Sequence, residues 1–318
     1  MSLAAQTYRD FEVILIDNGS EDGSVEYVRT QFPWVKIFPL PHNIGFAAGN
    51  NRGLQHASGR YIVTLNNDTR ADPKWLELLV DVADRMPEVG MIASRICCDS
   101  NPDKIDSIGM AICTDGMSRG RLRNRLWSRI CDQELSEILL PSACAALYRK
   151  TMIDEIGFFD EDFFAYAEDT DLGLRGRLAG WQAIAATEAI VYHKYSQTSG
   201  SFSPFKLYLV ERNHFWVVIK NFPVTGLMAL PWTTLRRYFE QLRVVIRGTG
   251  AGSEFCDAES RETVVRCLLK GIRDSLLGLP RMWQKRRQVL QTRRLPWKEF
   301  ARLLRRHRVS FRELLDSD

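Results

Sequence analysis

Between residues 11 and 190, short apolar runs rich in β-formers alternate with longer stretches of helical period. A run that is apolar at every position needs cover on both faces, and helices alternating with such strands supply it. The first run, Phe11-Glu12-Val13-Ile14-Leu15-Ile16, stops at Asp17-Asn18-Gly19-Ser20, and a helix is predicted over 22–31. Strands follow at 35–40, 60–65 and 89–96, with helices at 47–57 and from Pro73, which suits a first helical turn, to 86. Beyond a less regular stretch at 105–149, with two strands around the basic loop 119–129, a helix at 169–179 and a strand at 182–192 close the pattern. The order predicts an α/β fold with a mostly parallel sheet flanked by helices. With 318 residues, 45% hydrophobic and 26% charged, the chain has ordinary globular composition, which excludes a disordered or fibrous protein.

After Pro204 the texture changes to successive amphipathic helices, with breaks expected near Pro223, Pro231, 248–252, Pro280 and Pro296. Two domains are therefore expected, 1–200 and 201–318. Residues 281–313 hold twelve Lys or Arg against two acids, so the formal net charge of +4 hides a basic tail on an acidic body. Such a tail points to an anionic surface, a membrane before nucleic acid, since no basic-plus-aromatic nucleic-acid module is visible. Its bland alternatives are a solvated face or a helical subdomain that stabilises a homodimer. The most apolar stretch, 215–235, is interrupted by Lys220, Asn221, Pro223 and Pro231, which argues against spanning a bilayer and leaves lying in its interface open. No basic n-region and apolar h-region open the sequence, and the seven cysteines form no CxxC pair. These features read as a reduced, cytoplasmic protein, peripheral on the inner face of the cytoplasmic membrane, and exclude a disulfide scaffold or zinc module.

Ligands of open parallel sheets bind beyond the carboxyl ends of the strands. That rule selects Asp17 and Asp68, although either carboxylate could simply cap a turn. Asn66-Asn67-Asp68 sets three oxygen-bearing side chains where the chain leaves the core, a pattern suited to Mg2+ or Mn2+ sharing ligands with a phosphate. Asn43-Ile44-Gly45-Phe46 through Asn50 is a glycine-punctuated helix entry that matches neither GxGxxG nor a P-loop. Three acids, Glu168, Asp169 and Asp171, open a helix after an aromatic stretch that would desolvate a carboxylate base; Asp171 can also pair with Arg175 one turn on. His193 ends a strand, as a structural or a metal-binding residue. Gly116-Met117-Ser118-Arg119-Gly120 fits GxSxG but leads into a basic loop, and reads as a chance match.

Taken together, Asp17-Asn18-Gly19-Ser20, Asn43-Ile44-Gly45-Phe46, Asn66-Asn67-Asp68-Thr69 and Glu168-Asp169-Thr170-Asp171-Leu172 resemble the motifs of family 2 inverting glycosyltransferases, most nearly the rhamnosyltransferase-like branch. The resemblance covers residues 3–200 and extends to Glu211-Arg212-Asn213 and Lys220-Asn221-Phe222-Pro223. It implies a GT-A-like fold and a nucleotide-sugar donor held by Asp17, Asn18, Asn43, Gly45, Asn50 and Asn67. Asp68 and His193 would bind a divalent metal, Asp169 would be the general base, and Glu168, Asp171 and Arg175 would contact the acceptor or support the site. Asn66 stands where the family's DxD motif has its first Asp. Family members begin with a strand and helix ahead of the segment matched by residues 2–8, so the resemblance implies a missing central strand, and with it low stability or weak donor binding.

The implied reaction moves a sugar, with rhamnose the guess, to a saccharide or lipid-linked acceptor in cell-surface polysaccharide synthesis. Two rivals are an inactive truncated remnant serving as a membrane-bound interaction protein, and a nucleotidyltransferase. The latter normally carries an early basic phosphate-binding loop, which is not seen here.

Overall fold

In the computed structural model, which describes residues 2–130, 136–194, 203–247 and 260–315, the apolar runs become strands and the periodic stretches helices. Strand β1 (Ile14–Asp17) pairs in parallel with β2 (Lys36–Pro39), across helix α1 (Ser24–Gln31). Helix α2 (Phe46–Leu54) lies on β1, with Gly53 against Ile16.

The main sheet runs β3 (Tyr61–Leu65), β10 (Ala145–Arg149), β5 (Val89–Cys98), β11 (Gln182–His193), β4 (Thr69–Ala71); β6 (Asn101–Ile108) joins β5, and β9 (Ser136–Glu137) joins β11. The expected α/β architecture is present, but the sheet is mixed rather than mostly parallel: within it only β5–β11 is a parallel pair among the described residues. The reason is connectivity. Strand β6 folds straight back on β5, and β10 arrives through an irregular stretch instead of a crossover helix, which parallel pairing requires. A hairpin of β7 (Met110–Ile112) and β8 (Ser118–Gly120) occupies part of that stretch.

Helix α3 (Trp75–Arg85) buries Trp75, Leu76, Leu79, Val80, Val82 and Ala83 against Ile92, Ile96, Leu147 and Val191. Such i, i+4 and i+7 spacing is what a one-faced helix needs on a sheet. Helix α5 (Glu168–Leu178) is buried along nearly its whole length. It approaches so closely at Gly173 that an added Cβ would sit 2.2 Å from Leu140 Cβ. Short helix α4 (Lys150–Ile156) follows β10.

Helix α6 (Pro204–Asn221) starts with Pro204 in its first turn and the Ser203 hydroxyl accepting the Lys206 N–H at 3.1 Å. Its far side buries Trp216, Val217, Val218 and Ile219 with Leu139, Leu174 and Leu178. After it come α7 (Val224–Arg247), α8 (Arg261–Leu277), α9 (Leu279–Thr292), α10 (Trp297–Arg306) and α11 (Phe311–Leu315). Pro231 does not break the chain as expected; it lies inside α7, whose neighbouring turns are anchored by buried Leu230 and Arg237. Near Pro280 the expected break is present: α8 ends at Leu277 and α9 starts at Leu279 with Pro280 in its first turn, where its missing N–H costs nothing. The expected break at 248–252 and domain boundary at 200 lie outside the described residues.

Part of the basic tail is tied to the body, although nine of its twelve cations stay exposed. Arg281 and Lys285 bind Asp162, Lys285 also binds Asp160, Arg286 donates to the Ile219 carbonyl at 2.8 Å, Arg294 pairs with Glu155 and Arg306 with Glu137. The tail's charge thus fastens the helices to the acidic body.

Candidate functional site

Asp17 ends β1 and closes its own turn, accepting the Ser20 N–H at 3.2 Å. Asn18 reaches further: its Nδ2 donates to Asn43 Oδ1 at 3.0 Å and to the Gly45 carbonyl at 3.1 Å, and its Oδ1 accepts the Ile44 N–H at 2.9 Å. Gly45 has φ +91°, and a Cβ there would stand 2.6 Å from the Phe164 carbonyl, so no other residue fits this crossing. Ala47 N–H donates to that same carbonyl at 3.0 Å. Asn50 instead bonds the Phe46 carbonyl within its own helix at 2.9 Å, and Asn67 is exposed. The Asn18–Asn43–Gly45 loop is thereby fastened to the 164–167 segment, which leads into Asp169.

Asp68 occupies the turn between β3 and β4. Its Oδ2 lies 3.4 Å from His193 Nε2, and His193 Nδ1 lies 2.9 Å from Asp106 Oδ2. Arg123 donates to the other Asp106 oxygen at 3.1 Å. Burial alone would lower the His193 pKa; the Asp106 hydrogen bond and the charges of Asp106 and Asp68 outweigh it and hold the imidazole above its ordinary value. Asp68 Oδ1 is buried and has no partner among the described residues. An orphaned carboxylate oxygen beside an imidazole whose second nitrogen is anchored to another carboxylate fits a divalent cation. No group of three or more His, Cys, Asp or Glu side chains forms a cation cage among the described residues. Two protein ligands leave the remaining positions to a phosphate or water, as is usual for Mg2+.

Asp169 stands in the first turn of α5. It accepts the Ala143 N–H at 3.2 Å on Oδ2 and the Thr170 N–H at 2.6 Å on Oδ1. Burial raises its pKa, although these hydrogen bonds pull the other way. Adjacent Glu168 is pushed well above the usual carboxylate range, first by burial and then by the charge of Asp169. The segment entering α5 is strained: Phe164, Tyr166 and Ala167 have φ of 65°, 67° and 67°. Such residues cost of order 1–3 kcal/mol each and persist only where their surroundings hold them. Asn213 of α6 holds these, its Nδ2 donating to the carbonyls of Phe163, Ala165 and Tyr166 at 3.0, 2.9 and 2.7 Å. Arg212 donates to the carbonyls of Asp162 and Phe163 at 3.0 and 2.9 Å.

One short segment brings the two acidic groups together. Asn66, beside Asp68, donates its N–H to the Cys144 carbonyl at 2.9 Å, while the N–H of neighbouring Ala143 binds Asp169. The Cys144 thiol is raised well above its ordinary pKa by burial and by the negative charges of Asp106, Asp68 and Asp169, which all act on it. Asp171 and Arg175 lie deeper. Asp171 accepts from Arg175 Nε and Lys220 Nζ, each at 2.8 Å, and from Asn221 at 2.9 Å. Burial would raise Asp171, but Lys220 and Arg175 keep it charged below the usual range. Both residues therefore brace the site from within. Ser118 lies in a hairpin strand, its Oγ 2.8 Å from Thr170 Oγ1, not at a strand-to-helix elbow.

Residues 1–157 match the family model for glycosyl transferase family 2. This segment, just under half of the chain, belongs to that family. Rhamnosyltransferase-like in sequence, the transferase is similar to the N-acetylglucosaminyl-diphospho-decaprenol L-rhamnosyltransferase of Mycobacterium tuberculosis (strain ATCC 25618 / H37Rv), at 27% identity over 63% of this chain and 71% of that one. It is also similar to O-antigen biosynthesis protein RfbC of Myxococcus xanthus, at 30% identity over 61% of this chain but 16% of RfbC. Its fold matches the crystal structure of GalNAc-T7 with UDP, GalNAc and Mn2+ with a TM-score of 0.55 at 17% identity, over 69% of this chain and 44% of that one. The transferase is thus GT-A-like in fold. Sequence reasoning had not singled out Asp106, Arg123, Ala143 or Cys144; Asn213 stood only within a motif quoted for the family resemblance.

Proposed function

We infer that the protein transfers a sugar, rhamnose foremost, from a nucleoside-diphosphate donor to a saccharide or lipid-linked acceptor in cell-surface polysaccharide synthesis, with inversion. The observation that carries this reading is the gathering of Asp68, Asp106 and Asp169 around residues 142–144, beside the Asn18–Asn43–Gly45 loop. The names of the mycobacterial and myxococcal relatives support the sugar and the polymer. The fold neighbour, solved with UDP and Mn2+, supports the donor class and a divalent cation. Among the described residues no helix is long and apolar enough to cross a membrane. A lipid-linked acceptor would then be met at the inner face of the cytoplasmic membrane by a peripheral enzyme, with residues 1–200 catalytic and 201–318 a helical accessory region.

In this reading Asp17, Asn18, Asn43, Gly45, Asn50 and Asn67 line the donor site. Asp68 and His193 hold Mg2+ or Mn2+, which when bound offsets negative charge on the donor diphosphate. The acceptor oxygen attacks the anomeric carbon from the side opposite the diphosphate. Asp169 takes the hydroxyl proton as the bond forms, and the carbon–diphosphate bond breaks with its electron pair leaving on oxygen. A single displacement inverts the centre. Asp171 and Arg175 hold the helix that carries the base.

The test is a panel of nucleotide-sugars offered to the full-length protein with polyprenyl-diphosphate-linked acceptors. Free nucleoside diphosphate together with an extended acceptor is the expected product. Pyrophosphate release would instead assign nucleotidyl transfer, and the absence of any product across the panel would leave the inactive-remnant alternative.

A further inference from the structure

Helix α7 has two sides of opposite character. Inward, fully buried Arg237 binds Asp115 Oδ2 at 2.6 Å and both Glu211 oxygens at 3.1 Å, and Tyr238 donates to Glu211. Outward, Met228, Trp232, Leu235, Phe239, Leu242 and Ile246 recur every three or four residues and are 53–75% exposed. This is the stripe of a helix packed on an apolar partner, yet among the described residues it is bare.

Helix α8 packs on the same helix, α6, and repeats the arrangement. Gly271 packs on Glu211, the same residue that α7 grips, and the Ser275 carbonyl accepts the Trp216 indole N–H at 3.2 Å. The two helices therefore flank one turn of α6. On the outside of α8, Val265, Leu269, Leu276 and Leu277 are exposed. Arg261, Arg266, Lys270 and Arg273 are exposed too; Arg266 pairs with exposed Glu262 at 2.7 Å and Arg273 with the less exposed Asp274 at 2.8 Å, so the four cations outnumber the two acids and the helix stays net positive. At the start of α9, Trp283 and Arg287 continue the mixture.

We propose that the outer face of α7 and α8 seats this protein on an anionic lipid leaflet. The charge decides between occupants. A two-fold pairing of this face with a second copy would set its own cations against each other, whereas an anionic leaflet neutralises them. Exposed Trp232 and Trp283 suit the headgroup boundary, and the apolar stripe suits insertion below it. The inference deepens the lipid-linked-acceptor reading by naming the side of the molecule that meets the lipid. It also centres the contact on the apolar stripe of α7 and α8 rather than on the basic tail alone.

Co-sedimentation of the full-length chain with vesicles tests it. The protein should pellet with phosphatidylcholine mixed with phosphatidylglycerol and stay in solution with phosphatidylcholine alone. Each cation removed from the face should weaken partition about fivefold, so Arg266→Glu with Lys270→Glu should lose more than that. Trp232→Ser with Phe239→Ser should abolish binding, whereas Lys298→Glu with Arg302→Glu, on α10, should change it less than the face variants do. The proposal is overturned if the anionic vesicles leave the protein in solution, or if only the α10 variant loses binding. It is equally overturned if ultracentrifugation finds a dimer that the Trp232/Phe239 variant dissociates while vesicles have no effect. Vesicle binding without sugar transfer would support the face and remove the catalytic reading; transfer to a soluble acceptor without vesicle binding would do the reverse.

Discussion

Asp169 shows how one side chain serves two demands. Its backbone partners aim the carboxylate, and its burial makes it a stronger base than a solvated aspartate. Asp169→Asn should lower turnover by roughly 10²–10⁴ with donor binding kept, which steady-state kinetics and a donor titration would separate. In the proposed role the carboxylate accepts a proton only when charged. Because burial raises its pKa, activity should fall on the acid side while the pH is still above the ordinary value of 3.8, and a kcat/KM profile would locate that limb. Asp106 acts one step back, through His193. Asp106→Asn should weaken Mn2+ affinity about 10–100-fold, readable from the paramagnetic resonance of the free ion without any turnover. Nothing local could have found Asp106: it lies 87 residues from His193 and on a different strand.

At the scale of elements, the helix that carries Asp169 depends on one that begins 26 residues after it ends, for α5 stops at Leu178 and α6 starts at Pro204. Asn213 supplies hydrogen bonds to a loop whose left-handed residues cannot hold themselves. Asn213→Ala leaves those carbonyls short of a donor and should cost about 1–3 kcal/mol in urea melts, with turnover falling more than donor affinity. Gly173→Ala would drive a methyl into Leu140 and should cost of order 1–3 kcal/mol by the same measurement. The elements themselves were largely legible: strands at 60–65 and 89–96 and the helix at 169–179 stand within a residue or two of their expected bounds. Their direction in the sheet was not, because a strand's apolar run is the same read either way.

For the whole molecule, the group formed by Asp115, Glu211, His214 and Arg237 joins α6, α7 and the β7–β8 turn in the interior. Burial would raise Glu211, but Arg237 and its hydrogen-bonding partners hold it at about 2, against 4.5 in an exposed chain. A depressed carboxylate adds stability above its unfolded pKa and loses it as the pH falls through the folded one. Denaturant midpoints should therefore drop between pH 4.5 and 2, and Glu211→Gln should flatten that drop. Since Gln leaves Arg237 buried without its full countercharge, the variant should also lose about 3–5 kcal/mol at pH 7.

What the residues alone determine here is periodicity and punctuation: apolar runs that must be buried, helix entries marked by Pro and Gly, and Asp17, Asp68 and Asp169 at element ends. Those follow from local sterics and from the cost of exposing apolar surface, both written in a few consecutive positions. Tertiary structure alone decided the convergence of Asp68, Asp106 and Asp169, the clamp of Asn213 on a strained loop, and which side of α7 stays bare. Each of those is a relation between side chains tens of residues apart, and its energy does not exist until the chain has brought them into contact.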